Sequence, residues 1–254
     1  MTKIAAIIPA RMASTRFPGK PLLKFQGLPM VEHVRRRTIL SGVFSDVVVA
    51  TCDKEIQEEI ESFGGKVIMT SIHHPGATDR VIEAMGHLDC SHIVNVQGDE
   101  ILILPEDLVT MVNAIKKNPI GAAWNAIAPI MESKDLTDTS IVKCIVSNSN
   151  KVLFCSRQFP HLKPENVRII LGILGYEKKF LLNFGKLTRT PAESFESIDQ
   201  NRIIEHDFLL QGIPFFKGYP GINEPREVSL VETYMKNDEK QKIILSSIIE
   251  RWKN

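Results

Sequence analysis

Apolar and polar positions alternate between two rhythms over the first 117 residues. Residues 3–10 are a nearly continuous apolar run, as expected of a parallel strand covered on both faces. Residues 30–41 place Met30, Val31, Val34 and Thr38 at helix spacing. A second apolar run at 46–51 precedes an amphipathic helix at 54–63, stopped by Gly64 and Gly65. Strands at 66–70 and 92–97 and helices at 78–88 and 104–117 continue the pattern. Four strand–helix units in a row predict a parallel, right-handed, doubly wound α/β sheet.

Beyond Gly121 the rhythm changes. Short β-rich stretches at 122–130, 142–146, 151–154 and 169–176 surround the turn-prone SNSN at 147–150 and a polar stretch at 161–166. These predict mixed sheet plus an extension. A helix at 198–210, a strand near 213–217 and a helix near 227–235 follow. The tail is charged from Lys236 and amphipathic over 243–252, suited to packing on the body or on a partner. No repeat, low-complexity segment or clear linker divides the chain, so residues 1–254 read as one domain.

Composition narrows the classes. With 43% hydrophobic and 24% charged residues the chain reads as an ordinary soluble protein. A net charge of +1 argues against a general nucleic-acid binder, though not against a local triphosphate site. Cys52, Cys90, Cys144 and Cys155 form no metal-binding spacing and read as reduced residues of a cytoplasmic protein. The N-terminal apolar run is too short to span a membrane and lacks a signal peptide's cleavage region, so no membrane insertion is expected.

The most specific chemistry lies at residues 8–22, IPARMASTRFPGKPL. Directly after a buried strand, the loop holds Arg11, Ser14, Thr15, Arg16, Gly19 and Lys20. Backbone N–H groups at close approach, hydroxyls and fixed positive charge are what a triphosphate needs. The bland alternative is a solvated basic loop. The stretch is neither a Walker A motif nor GxGxxG, which removes the dehydrogenase reading. Asp99 closes a predicted strand, where open parallel sheets put ligand chemistry, and Mg2+ takes hard oxygen ligands such as its carboxylate. Its alternative is a cap for the helix near Pro105, and Glu100 fits a solvated turn residue equally well. His73 and His74 have no third ligand at useful spacing, which favours surface or ligand-contacting roles.

The same loop resembles the N-terminal signature of the CMP-Kdo synthetases, the 3-deoxy-D-manno-octulosonate cytidylyltransferases. VEHVRRR at 31–37, VVVATCD at 47–53, KVIMTSIHHPGATDR at 66–80 and VNVQGDE at 94–100 follow in the family's order. So do KCIVSNSNKVLFCSR at 143–157, LGILGY at 171–176, IDQNRIIEH at 198–206 and INEPREV at 222–228. The resemblance implies a Rossmann-like, doubly wound, mostly parallel sheet of the nucleotide-diphospho-sugar transferase type. It also implies a β-rich insertion or dimerisation region around 125–175, and a homodimer. The implied activity is transfer of CMP from CTP to the anomeric hydroxyl of a small acidic sugar, with Mg2+ as cofactor and pyrophosphate as product.

Carried over residue by residue, Lys20, Asp99 and Arg11 would serve catalysis. Pro9, Ala10, Arg11, Ser14, Lys20, Thr51, Asp53, Thr70, Thr78, Arg80 and Gln97 would bind the nucleotide, the stretch from Thr70 to Arg80 reading cytosine. Gln97, Arg157, Ile170, Leu174, Asp199 and Gln200 would face the acceptor, and Asp99 with Asn223 the metal. The chain departs from the family at several of these. Asn223 stands for the second metal aspartate and brings no charge, so Glu224 would have to help. Ala77 replaces a glycine, Ile101 a proline, Ile170 a histidine, Leu174 a tyrosine and Asp199 a glutamate. Three readings follow: a cytidylyltransferase for Kdo or a related sugar acid, the same enzyme with another acceptor, and a nucleotide-binding protein with little catalysis.

Overall fold

The computed structural model describes residues 2–14, 16–159 and 161–252, so Thr15 of the basic loop lies outside the described residues. In chain order the first elements are β1 (Ile4–Pro9), a 3-10 turn (Lys20–Leu22), β2 (Lys24–Phe25), β3 (Leu28–Pro29) and α1 (Met30–Leu40). Next come β4 (Val47–Thr51), α2 (Lys54–Ser62), β5 (Lys66–Met69), α3 (Ala77–Met85), β6 (His92–Val96) and α4 (Pro105–Lys117). The later part holds β7 (Ala123–Pro129), β8 (Lys143–Val146), β9 (Val152–Ser156), β10 (Arg168–Glu177), α5 (Lys178–Phe184), α6 (Pro191–Glu196) and α7 (Gln200–Glu205). It closes with β11 (Leu210–Pro214), α8 (Val228–Asn237) and α9 (Glu239–Glu250). The chain forms two compact units, one running to Val112 and resuming at Tyr219, the other spanning Asn113–Gly218.

In the first unit four parallel strands run in the order β6-β1-β4-β5. All six residues of β1 are buried, which is why its apolar run is unbroken. Sequential strands connected by helices place the carboxyl ends of β1, β4 and β6 along one edge, the edge at which such sheets bind ligands. The amphipathic tail packs on its own unit: Ile244 and Ile248 of α9 bury against Leu104, with Leu40 beside them. Burying such side chains contributes roughly 1.5–3 kcal/mol each.

In the second unit β7 pairs antiparallel with β10 and parallel with β11, while β8 pairs with β10 and β9 with β8. The β7–β10 register slips between Ile170 and Leu174. Asn125 fills that irregularity, donating its amide to the carbonyls of Leu171 (2.9 Å) and Ile173 (3.4 Å).

Three stretches differ from the periodicity. The helix expected over 198–210 is only the six residues of α7, because Asp207 adopts φ 61° and the Phe208 N–H turns back to the Ile203 carbonyl. The strand expected at 213–217 therefore starts earlier, as β11. The β2–β3 hairpin, turned by Gln26 (φ 48°) and Gly27 (φ 87°), and helices α5 and α6 were not anticipated.

Candidate active site

The basic loop is built around Met12. Ala10 still pairs with β4 through the Ala50 carbonyl (2.9 Å), and the chain then leaves the sheet. The Met12 N–H donates to the Asp53 carboxylate (2.8 Å), while its carbonyl receives the N–H groups of Ser14 (2.8 Å) and Gly19 (3.0 Å). Gly19 sits at φ +75°, a conformation glycine adopts without a steric penalty. Asp53 thus anchors the loop: the carboxylate expected at the nucleotide already holds a backbone N–H. Pro9 and Ala10 are buried, Ser14 is half-buried, and the Arg11 and Arg16 side chains reach solvent.

Lys20, at the start of the 3-10 turn, extends its ammonium to Asp99 Oδ2 (2.7 Å) and the Ile222 carbonyl (2.8 Å). Both partners of the ion pair are mostly enclosed, with side chains 13% and 19% exposed. Gly98 explains how Asp99 gets there. A Cβ at Gly98 would lie 2.9 Å from the Pro9 carbonyl, so only glycine lets the ends of β6 and β1 approach. On the other side the Ile222 N–H donates to the Asp99 carbonyl (3.1 Å), and a Cβ at Gly221 would meet that same oxygen at 3.0 Å. Two glycines therefore flank Asp99 at the points of closest backbone approach.

Asn223 follows Ile222 and accepts a hydrogen bond from Arg16 Nη2 at 3.4 Å. Its N–H and that of Glu224 both donate to the Glu227 carboxylate. Glu224 itself pairs with Arg226 (3.0 Å), which engages the carboxylate that was to assist the metal. Among the described residues no group of three or more His, Cys, Asp and Glu side chains could hold a metal ion. One carboxylate and one amide oxygen, from segments joined by the Ile222–Asp99 backbone bond, still match Mg2+. That ion takes hard oxygens and few protein ligands when phosphates supply the rest.

The expected cytosine reader forms a buried cluster. The Thr51 carbonyl accepts both the Thr70 N–H (2.8 Å) and the Thr70 hydroxyl (3.1 Å), and Thr51 Oγ1 accepts the Asp53 N–H (3.1 Å). Arg80, 2% exposed, donates to Thr70 Oγ1 and lies 3.4 Å from Cys52 Sγ. Thr78 is buried beside them in sequence, on α3. Ala77 is the first residue of that helix, where alanine is at home. His74 pairs with Glu83, whose second role is to accept the Ser71 N–H (2.8 Å). That N–H first, and His74 next, hold the Glu83 carboxyl below its usual range. His74 is therefore a loop fastener.

In the second unit the acceptor candidates are more fully committed to scaffolding. Arg157 donates to the carbonyls of Glu196 (3.1 Å), Thr139 (2.9 Å) and Ser140 (3.4 Å). Gln200 is buried and donates to the Asn125 amide oxygen at 3.0 Å. Asp199 precedes α7 and is half-buried. Ile170 keeps part of its surface, but Leu174 is 1% exposed, so the pair expected to face one ligand differ in access. Gln97, in the first unit, is half-buried and closes the Asp99 turn by accepting the Glu100 N–H (3.1 Å).

Residues 5–213 match the profile of a family described as cytidylyltransferase. A 3-deoxy-manno-octulosonate cytidylyltransferase of Leptospira interrogans is 40% identical over 209 residues, 81% of this chain and 85% of that one. The enzyme of that name from Protochlamydia amoebophila is 32% identical over 244 residues, 92% of this chain and 94% of its own. The chain belongs to the 3-deoxy-manno-octulosonate cytidylyltransferase family. A solved CMP:2-keto-3-deoxy-manno-octonic acid synthetase, complexed with CTP, superposes at a TM-score of 0.87 and 30% identity. That match covers 93% of this chain and all of the other. The family is one of nucleotidyltransferases with a mixed α/β fold and a mostly parallel sheet, as the strand rhythm predicts. Among the described residues no helix is long and apolar enough to cross a membrane.

The family's motifs name Asp53 but not its anchoring role, and they do not reach the Ile222 carbonyl. The Ile222 carbonyl carries no side-chain signal at all. The anchoring role of Asp53 needs the spatial approach of Met12, 41 residues away in sequence.

Proposed function

We propose that this protein transfers CMP from CTP to the anomeric hydroxyl of 3-deoxy-D-manno-octulosonate, releasing pyrophosphate. The observation that carries the reading is the junction of Lys20, Asp99 and the Ile222 carbonyl at the ends of β1 and β6, at 2.7 and 2.8 Å. The substrate pair comes from the names of the relatives. In the reaction the anomeric oxygen bonds to the α-phosphorus while that phosphorus loses its bond to the oxygen leading to the β-phosphate. The hydroxyl proton passes to solvent, and pyrophosphate departs with the electron pair. Such a displacement depends on positioned charge more than on covalent chemistry.

Lys20 and Arg11 meet the triphosphate as fixed cations, with Ser14 and the backbone around Pro9 and Ala10. Asp53 keeps that loop in place through Met12. Thr51, Thr70, Thr78 and Arg80 form a rigid polar wall for cytosine. Gln97 is the acceptor candidate of the first unit. In the second, Arg157, Asp199 and Gln200 are the family-matched acceptor residues with Ile170 as an apolar neighbour, while Leu174, 1% exposed, contributes packing and not contact. Asp99 and Asn223 would hold Mg2+, which when bound neutralises charge on the phosphates. A homodimer working in the cytoplasm completes the proposal.

Pyrophosphate release with CTP, measured over a panel of sugar acids, tests it. Release with CTP and 3-deoxy-D-manno-octulosonate, and little with ATP or GTP, is expected. Faster release with a different sugar acid would replace the acceptor. CTP binding without release for any acid would leave a nucleotide-binding protein.

A further inference from the structure

Arg37 lies in α1 with its side chain sealed from solvent (0% exposed). Its Nη1 donates to the Gln241 amide oxygen (2.7 Å) and the Ile103 carbonyl (3.2 Å). Its Nε and Nη2 have no hydrogen-bond partner among the described residues. Burial lowers its pKa to about 9, so the group is still charged at neutral pH. A buried guanidinium with two idle nitrogens weakens the fold relative to an apolar side chain of similar size. Its bonds, rather than its burial, are where a role is to be sought.

Its partners point to one. Gln241, also sealed, donates to the Leu102 carbonyl (2.8 Å) and accepts from Arg37. Its N–H reaches Asp238 (3.2 Å), whose other carboxylate oxygen accepts the Tyr219 hydroxyl (3.0 Å). One polar network thus grips two short segments from behind. Leu102 and Ile103 end the turn that begins at Asp99, and Tyr219 is three residues before Ile222, which binds both Asp99 and Lys20. Ile101, Leu102 and Ile222 share one apolar cluster, which gives bulk but no direction. The hydrogen bonds supply direction.

We propose that Arg37 is a positioning residue for the Asp99 site, fixing the Asp99 turn against segment 219–223 through Gln241 and the Ile103 carbonyl. This rests on the reading of Asp99 as a Mg2+ ligand given above. Groups behind metal ligands typically alter metal affinity about 10–100-fold.

The test is calorimetry of CTP binding, first in EDTA and then across a Mg2+ titration, together with melting temperature. Arg37→Met removes a buried charge but leaves the Gln241 amide oxygen and the Ile103 carbonyl bare, so it should melt within a few degrees of wild type and bind CTP in EDTA within about two-fold of wild type. It should need about ten-fold more Mg2+ for half of the metal-induced gain in CTP affinity. Arg37→Lys should recover part of that loss. A folded Arg37→Met protein with the wild-type Mg2+ requirement overturns the proposal, because a purely structural role would leave that requirement alone. If Arg37→Met does not fold, Tyr219→Phe decides. It keeps the ring packed on Tyr234 and removes the bond to Asp238. A several-fold higher Mg2+ requirement supports the network, and none overturns it. Wild-type CTP affinity indifferent to Mg2+ sinks the metal reading and this proposal together. Wild type that binds Mg2+ and CTP but releases no pyrophosphate sinks only the proposed acceptor and leaves the Arg37 comparison standing.

Discussion

The two units use polar side chains differently. In the first, Lys20, Asp99, Asp53, Thr70 and Arg80 join one chain segment to another at the ends of parallel strands. In the second, Asn125 and Gln200 spend their hydrogen bonds inside the irregular β7–β10 pair, and Arg157 spends its own on the carbonyls of Glu196, Thr139 and Ser140. Parallel strands that end along one edge bring distant loops together, so a polar residue there meets partners from other segments. Antiparallel strands with a register slip leave backbone carbonyls that side chains must satisfy, as Asn125 does for Leu171 and Ile173, and polar side chains are consumed in doing so. Polarity at a motif position is therefore a stronger sign of chemistry in the first unit than in the second.

The largest effect should come from Asp99→Asn. Loss of one aimed charge in a partly enclosed site should lower turnover by at least about 100-fold. The melting temperature should stay within a few degrees, and near-wild-type turnover at limiting Mg2+ would break the first half of the comparison. Lys20→Ala should be next. Removing a charge-assisted contact worth roughly 1.5–3 kcal/mol should weaken CTP binding about 10–100-fold by titration.

A pH prediction probes what enclosure costs the first unit. Burial, and then Glu106, push the Asp107 carboxyl up to about 7, with Lys240 opposing. A carboxyl raised in the fold favours its protonated form. Its contribution is full below the unfolded value of about 4 and is lost as pH rises through about 7. Asp107→Asn should therefore gain roughly 1–3 kcal/mol in chemical denaturation at pH 8 and nothing at pH 4. Equal gains at both would show that desolvation of this group is not the cause.

The smallest effect concerns the second unit. Leu174 is 1% exposed, so Leu174→Tyr should act by overpacking, costing roughly 1–3 kcal/mol of stability. A variant that keeps its stability and changes acceptor preference would erase the contrast between the units at this position.

Much of the first unit was legible because each of its signals is local. The apolar run of β1, the stop at Gly64–Gly65 and the loop ending in Lys20 are read from neighbours in sequence. The fold of 198–214 was not, since a single left-handed residue, Asp207, ends α7 and moves β11. Asp99 was legible as a strand-end carboxylate, while its partner Ile222 was not, because a backbone carbonyl leaves no trace in composition. Arg37 stood in a recognisable motif, yet its burial depends on Gln241, 204 positions further along. Two hydrophobic substitutions, at 170 and 174, looked equivalent in sequence, and the register slip between them separates their surroundings.

The interval between Lys20 and Ile222, 202 positions, has a consequence for synthesis. The first unit is discontinuous, and its second portion is made only after the whole of 113–218. At typical elongation rates of about 5–20 residues per second, β1 and its loop emerge roughly ten seconds or more before the segment that completes their surroundings. During that interval Ile101, Leu102 and Met30 lack the cover that Ile222, Val231 and Met235 later provide. The nascent chain thus carries an exposed greasy seam while the intervening unit is still being made. Binding competence should arise late and abruptly, as α8 and α9 dock, so a ribosome stalled near residue 218 would display a chain with its strands in order and no capacity to hold CTP.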